Sequence, residues 1–154
     1  LGSSDRRQRW ALEAVWSPDG RYLALNTALD RERGDIYSTD IMIIDTIDGS
    51  STMLEAPFSS SYGFAWLPNG RQLILIGETG RLREEGAKPQ LFLADIHTRQ
   101  LVAVLPAFFT GTSEYHGGGG LLSLSVDGQL LAFQCVKLTN LTEGAICITR
   151  ITLQ

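Results

Sequence analysis

Apolar and polar positions along this chain fall into short runs rather than long periodic stretches. Strand-sized pieces at Leu12 to Trp16, Tyr22 to Thr27, Asp40 to Thr46 and Thr52 to Ala56 are followed by Gly63 to Leu67, Gln72 to Gly77, Gln90 to Ile96 and Gln100 to Leu105. Three more follow at Leu121 to Ser125, Gln129 to Val136 and Ala145 to Thr152. β-Branched and aromatic residues fill the runs, while Asp19-Gly20, Asp48-Gly49, Asn69-Gly70 and Asp127-Gly128 punctuate them, which is the signature of hairpins. No segment carries a helical period, so the chain reads as all-β.

The pattern repeats. Trp16-Ser17-Pro18-Asp19-Gly20-Arg21-Tyr22-Leu23-Ala24-Leu25 returns fifty residues later as Trp66-Leu67-Pro68-Asn69-Gly70-Arg71-Gln72-Leu73-Ile74-Leu75. Asp45, closing Ile41 to Ile44, is matched at the same offset by Asp95, closing Leu91 to Ala94. A weaker third copy, Leu124-Ser125-Val126-Asp127-Gly128-Gln129-Leu130-Leu131-Ala132-Phe133, has lost the tryptophan and proline and carries Arg150 where the aspartate would stand. Pro18 and Pro68 suit a turn position with preset φ and no amide donor, and the glycines after them supply positive φ.

Four-stranded antiparallel units repeating at about 40 to 50 residues are the mark of β-propeller blades. The motif Trp-Ser-Pro-Asp-Gly-Arg, an aliphatic strand, then a third strand ending in aspartate resembles the TolB-type propeller repeat, a relative of the WD repeat. The likeness covers about residues 11 to 152; the second copy departs from it at Leu67 and Asn69, and the third keeps only Ser125, Asp127 and Gly128. It implies blades at roughly 11–56, 63–105 and 121–152, with residues 1–10 a linker or the end of a preceding blade. Relatives include periplasmic TolB-like proteins, propeller domains of prolyl-oligopeptidase-type serine peptidases and sensor modules, so the resemblance transmits fold and not activity. It leans toward the bacterial periplasm or cell envelope, with the cytoplasm as the alternative.

Propellers close with about 4 to 8 blades. Three leave outer faces open, and Leu23, Leu25, Leu131 and Phe133 are expected on them. The expected cover is further blades of the same polypeptide; a second copy, making a homodimeric six-bladed ring, and another protein partner are the alternatives. The short turns Pro18 to Gly20, Pro68 to Gly70, Val126 to Gly128, Ile47 to Ser50 and His97 to Arg99 belong to one face of the stack. The long connections, Ala28 to Thr39, Pro57 to Tyr62, Glu78 to Pro89, Pro106 to Gly120 and Lys137 to Gly144, belong to the other and mark the expected binding face. Candidate partner-binding residues there are Arg31, Arg33, Arg81 and Arg83, with Phe108, Phe109, Tyr115 and His116 beside the four glycines 117–120. The alternative packs both phenylalanines between blades and uses the glycines as a spacer.

Composition narrows the function classes. Of 154 residues, 44% are hydrophobic and 19% charged, as in globular domains, and no apolar run approaches the roughly 20 residues of a membrane-spanning helix. A net charge of -4 argues against nucleic acid as partner. Residues 5–9 are polar and basic without an apolar run behind them, unlike a signal peptide.

Catalytic and metal-binding patterns are missing from the sequence. His97 and His116 have no metal-ligand spacing, Ser113 lacks the glycine that completes a nucleophile elbow, and no lysine follows the glycine run as in a phosphate loop. Asp45 and Asp95 share one repeat position and read as structural, as do Trp16 and Trp66. No cofactor is expected and no enzyme activity. A hairpin centred on Leu141 would set Cys135 opposite Cys147, close enough for a disulfide; the preferred reading is two buried free thiols. Asn140-Leu141-Thr142 fits the glycosylation acceptor pattern. The leading expectation is a noncatalytic propeller segment serving as an interaction or scaffold module. A gating propeller of a serine peptidase and a ligand-sensing propeller are the alternatives.

Overall fold

A computed structural model describes residues 9–29, 38–54, 58–79, 89–105, 115–137 and 140–151. Three antiparallel meanders succeed one another along the chain. The first is β1 (Arg9–Trp16), β2 (Tyr22–Leu29), β3 (Ser38–Asp45) and β4 (Ser51–Leu54). The second is β5 (Phe58–Trp66), β6 (Gln72–Thr79), β7 (Pro89–Asp95) and β8 (Leu101–Leu105). The third has three strands, β9 (Tyr115–Leu124), β10 (Leu130–Lys137) and β11 (Asn140–Arg150).

Each blade's first hairpin is closed by the same device. Gly20, Gly70 and Gly128 have φ of 72°, 64° and 71°, a region an L side chain enters only at a cost. One side-chain oxygen replaces the backbone partners that the turn leaves unpaired. Asp19 accepts from Ser17 Oγ (2.5 Å) and the Arg21 N–H (3.1 Å). Asn69 accepts from the Arg71 and Gln72 N–H groups, each at 3.0 Å, and Asp127 from Ser125 Oγ (2.6 Å) and the Gln129 N–H (3.0 Å).

Side chains alternate across each strand, so every sheet has two faces, and the blades stack face to face. Between the first and second lies a slab containing Ala24, Ile41, Ile43, Leu54, Phe64, Trp66, Leu73, Leu75 and Phe92. Between the second and third lies another, containing Ile74, Ile76, Leu91, Leu131, Phe133 and Ile151. The middle sheet is therefore apolar on both sides, which is why Leu73 to Ile76 reads as an unbroken aliphatic run. Fully burying one such side chain stabilises by about 1.5–3 kcal/mol.

The structure corrects several expectations. Leu131 and Phe133 face the second blade and are buried; the outer face of the third blade instead carries Leu130, Ile146 and Ile148, because adjacent residues on a strand point opposite ways. Strands β5, β9 and β11 begin earlier than the runs suggest, so residues 58–62, 115–120 and 140–144 belong to ladders and not to long connections. Gly117 pairs with Cys135 in the β9–β10 ladder across a register shift. Glycine is a weak strand former, yet pairing satisfies its backbone groups, and its place beside a bulge is the expected one. The β10–β11 register pairs Cys135 with Ala145 and Phe133 with Cys147, so the two cysteines stand on a diagonal and not opposite one another. Cys147 is disulfide-bonded, which overturns the free-thiol expectation; the sequence holds one other cysteine, Cys135.

Candidate interaction surface

Topology puts the short turns at one end of the stack and the long connections at the other. Arg31, Arg33, Arg81, Arg83, Phe108 and Phe109 lie outside the described residues. Tyr115 and His116 are placed by backbone alone: they sit in β9, opposite Lys137 and Val136, and not in a long connection.

The short-turn end is occupied by its own chemistry. Arg21 Nη2 lies 2.9 Å from Asp45 Oδ2, and Arg71 Nε lies 2.7 Å from Asp95 Oδ2. The Arg21 guanidinium, with the Ile47 N–H at 3.0 Å, holds the Asp45 carboxyl below the usual carboxylate range. Partial desolvation pushes Asp95 the other way but is outweighed by the Thr98 and His97 N–H groups and Arg71, so its carboxyl also ends low. Both aspartates are structural. The sequence signal for these arginine partners is that Arg21 and Arg71 follow the turn glycine at the same offset. In the third blade the aspartate's place is taken by Arg150, whose Nη1 donates to Gln129 Oε1 (2.9 Å).

Aromatic groups tie the first two blades together. Trp66 is buried and its Nε1–H donates to the Val15 carbonyl of the first blade (3.0 Å). Its ring stacks on Tyr22 at 6.3 Å between centroids, and His97 meets Tyr22 edge-on at 6.2 Å. Beside these rings a cleft of about 160 Å³, lined by Tyr22, Asp45, Ser50, Thr52 and His97 among others, opens between the blades. That is below the roughly 300–1,000 Å³ of ordinary small-molecule sites, and it is a seam between sheets. Deeper in the same junction, Asn26 is buried with no partner for its Oδ1. It stands beside Glu13 in the ladder, a half-buried residue whose carboxyl burial pushes up.

The outer sheet faces are different: they are apolar and open. Trp16 is 58% exposed where its repeat equivalent Trp66 is 6%, so the expected packing role holds for Trp66, whereas no described blade lies against Trp16. Around it Leu23, Leu25, Met42 and Ile44 are only partly covered. On the far side of the stack, Ile146 and Ile148 are 65% and 68% exposed.

Comparison with solved structures decides what this architecture is. Tricorn protease matches with a TM-score of 0.54 at 16% identity, over 81% of this chain and 11% of that one. Hydrazine synthase of Kuenenia stuttgartiensis matches with a TM-score of 0.56 at 14% identity, over 78% of this chain and 37% of that one. The fold is that of a β-propeller segment. The propeller segment thus spans well under half of either chain it resembles, and likeness at such identity concerns fold alone. TolB from Acinetobacter baumannii, at 14% identity over 98% of this chain and 46% of that one, has a TM-score of 0.46, too low to add weight. No family model matches the sequence, and no curated protein does.

Proposed function

We propose that this propeller segment is a noncatalytic interaction or scaffold module. The observation that carries the reading is the pair of open apolar faces, one centred on Trp16 and the other on Ile146 and Ile148. Contiguous exposed apolar surface on a globular chain marks an interface. The long-connection end is the second contact area, and its basic and aromatic residues are the anchors a protein partner would use. The disulfide at Cys147 supports an oxidising compartment, and the bacterial cell envelope is the setting we assign.

The test is the affinity of the protein that co-purifies with the full-length polypeptide. Alanine at Arg83, Phe108, Phe109 and Tyr115, and Ile148→Asp on the sheet face, are expected to weaken it. Unchanged affinity across the whole set overturns the reading, and labelling of the chain by a serine-directed fluorophosphonate overturns its noncatalytic part. A second reading, a propeller serving a protease, draws on the likeness to tricorn protease. It requires a peptidase domain on the same polypeptide or in the same complex.

A further inference from the structure

The two internal junctions of the stack are equivalent by repeat, and they differ at one place. Alternate positions of each blade face the next one: Val15, Ala24 and Ile41 in the first blade, Ala65, Ile74 and Leu91 in the second. Two residues further along the inner two strands, the same faces carry Glu13 and Asn26 in the first blade and Gly63 and Ile76 in the second. The ladders agree. Glu13 pairs with Asn26 and Gly63 with Ile76, each beside a register shift, between Ala11 and Glu13 and between Ser61 and Gly63. Ile76 packs into the second junction at 3% exposure, and Asn26 takes its place in the first at 4%.

Packing alone asks for an apolar side chain here, as the second junction demonstrates. Asn26 instead leaves its Oδ1 buried without a hydrogen-bond partner, the one such side-chain atom among the described residues. Glu13 stands on the same face, where Cβ atoms of paired residues lie about 4.5–5.5 Å apart, and adds a half-buried carboxyl that desolvation pushes upward. Among the described residues no donor or cation answers either group. The rest of the junction is apolar and includes Ile41, Phe64, Leu75 and Phe92. Two desolvated acceptors in an apolar seam, at a position the repeat fills with isoleucine, are a local sacrifice of packing, and such departures from self-consistency concentrate at sites of function. The register shift beside Glu13 fits this, since bulges re-aim side chains next to such sites.

We infer that Glu13 and Asn26 bind the ammonium head of a free, unbranched primary amine inserted at the first blade junction. An ammonium has three N–H donors and no acceptor, the complement of a carboxylate beside an amide oxygen. The alkyl stem matches the aliphatic wall, and aromatic rings in it favour a cation. A bare metal ion is a poorer match, because two side-chain oxygens fall well short of the six or more, roughly, that hard cations take. Burial of Asn26 between two sheets selects a slender free molecule over the side chain of a folded partner. The inference adds a ligand to the interaction reading above and does not depend on it.

The experiment is thermal unfolding of the whole chain, disulfide intact and near neutral pH, with n-butylammonium as the probe and with n-butanol, tetramethylammonium and potassium chloride as controls at matched concentration. n-Butylammonium is expected to raise Tm saturably, by about 3–6 °C at roughly ten times its half-saturating concentration. The neutral alcohol, the cation without N–H donors and the salt are expected to leave Tm unchanged. Asn26→Leu, which copies the second junction, is expected to melt no lower than wild type without amine and to lose the response. Glu13→Gln is expected to bind the amine at least about 10-fold more weakly, as for loss of a charged hydrogen-bond partner. A wild type without a saturable response overturns the inference, and so does an equal response to n-butanol or to tetramethylammonium. An undiminished response in Asn26→Leu or in Glu13→Gln overturns it as well. Should Asn26→Leu fail to fold, Glu13→Gln at its half-buried position carries the same test, with backbone amide shifts of Glu13, Asn26 and Ile41 on amine addition expected in wild type and their absence refuting the site.

Discussion

Replacing the turn glycines one at a time with alanine separates backbone strain from contact between blades. All three glycines have positive φ near 70°. Alanine in that region costs about 1–2 kcal/mol, partly offset by about 0.4–1 kcal/mol because alanine restricts the unfolded chain. Gly20→Ala, with open space around it, should therefore lose about 1 kcal/mol. Gly70→Ala should lose about the same, since its nearest atom, Asp19 Cγ at 3.5 Å, is at ordinary contact distance. Gly128→Ala carries the same backbone penalty and also drives a methyl to 2.8 Å from Pro68 Cδ and 3.0 Å from Pro68 Cγ. Proline is stiff, so the turns must part, and overpacking of this kind adds about 1–3 kcal/mol. The expected total is about 2–4 kcal/mol. Urea unfolding of the four proteins at micromolar concentration, with unchanged m-values, reads these differences directly. If Gly128→Ala comes within about 0.5 kcal/mol of Gly20→Ala, a difference at the level of measurement scatter, the second and third blades do not abut at their turns. A Gly20→Ala penalty that grows with protein concentration would show that Gly20 too meets a neighbouring turn.

Three further outcomes are expected. Trp66→Ala should cost about 3–5 kcal/mol in the same assay, and Trp66→Phe should cost less while leaving the Val15 carbonyl unpaired; near-neutral effects from both would refute the inter-blade role of Trp66. Asp19, Asp45, Asp48, Asp95 and Asp127 all have lowered carboxyl pKa values in the fold, so they bind fewer protons folded than unfolded, and their stabilisation is complete above the ordinary carboxylate pKa near 4 and lost as pH falls through the lowered values. A melting temperature that declines below about pH 4 is expected, with a shallower decline for Asp127→Asn, which copies the arrangement of Asn69; a profile identical to wild type would contradict this. Reduction of the disulfide at Cys147 should lower stability by about 2–4 kcal/mol, checked by denaturation with and without dithiothreitol, and no change would refute a structural bond there.

Repeat architecture was open to reading because turn chemistry and strand period are local. Ser17, Asp19 and Gly20 build their hairpin from atoms within a few residues, and so does the weaker copy at Ser125, Asp127 and Gly128. The pairing of Arg21 with Asp45, and of Arg71 with Asp95, was also legible in principle: where the third copy loses its arginine to Gln129, the aspartate becomes Arg150. What local pattern does not carry is which face of a strand meets which neighbour. Leu130 and Leu131 are indistinguishable by residue type, and only the stacking direction buries Leu131 and leaves Leu130 40% exposed. The cysteine register differed from the expected one because the hairpin is centred elsewhere, with a shift at its end, which sets Cys135 opposite Ala145 and Cys147 opposite Phe133, and the free-thiol preference is overturned by the disulfide at Cys147. The glycine run misled because composition suggested slack chain, whereas a waiting partner strand supplies hydrogen bonds to any backbone. The Trp16 and Trp66 motifs read alike, and their different exposure depends on a neighbouring blade that, among the described residues, only Trp66 has.

Among the described residues the middle blade alone has both faces covered, and in β6 three successive residues, Leu73, Ile74 and Leu75, are at 0% exposure. A stack whose units touch only adjacent units loses order from its ends inward. Amide protons of β6 should accordingly exchange with solvent last, and those of β1 and β11 first. The same gradient ranks tolerance to substitution: a polar residue at Ile74 has no solvent side to turn to, whereas the outer blades can absorb one until something docks on them.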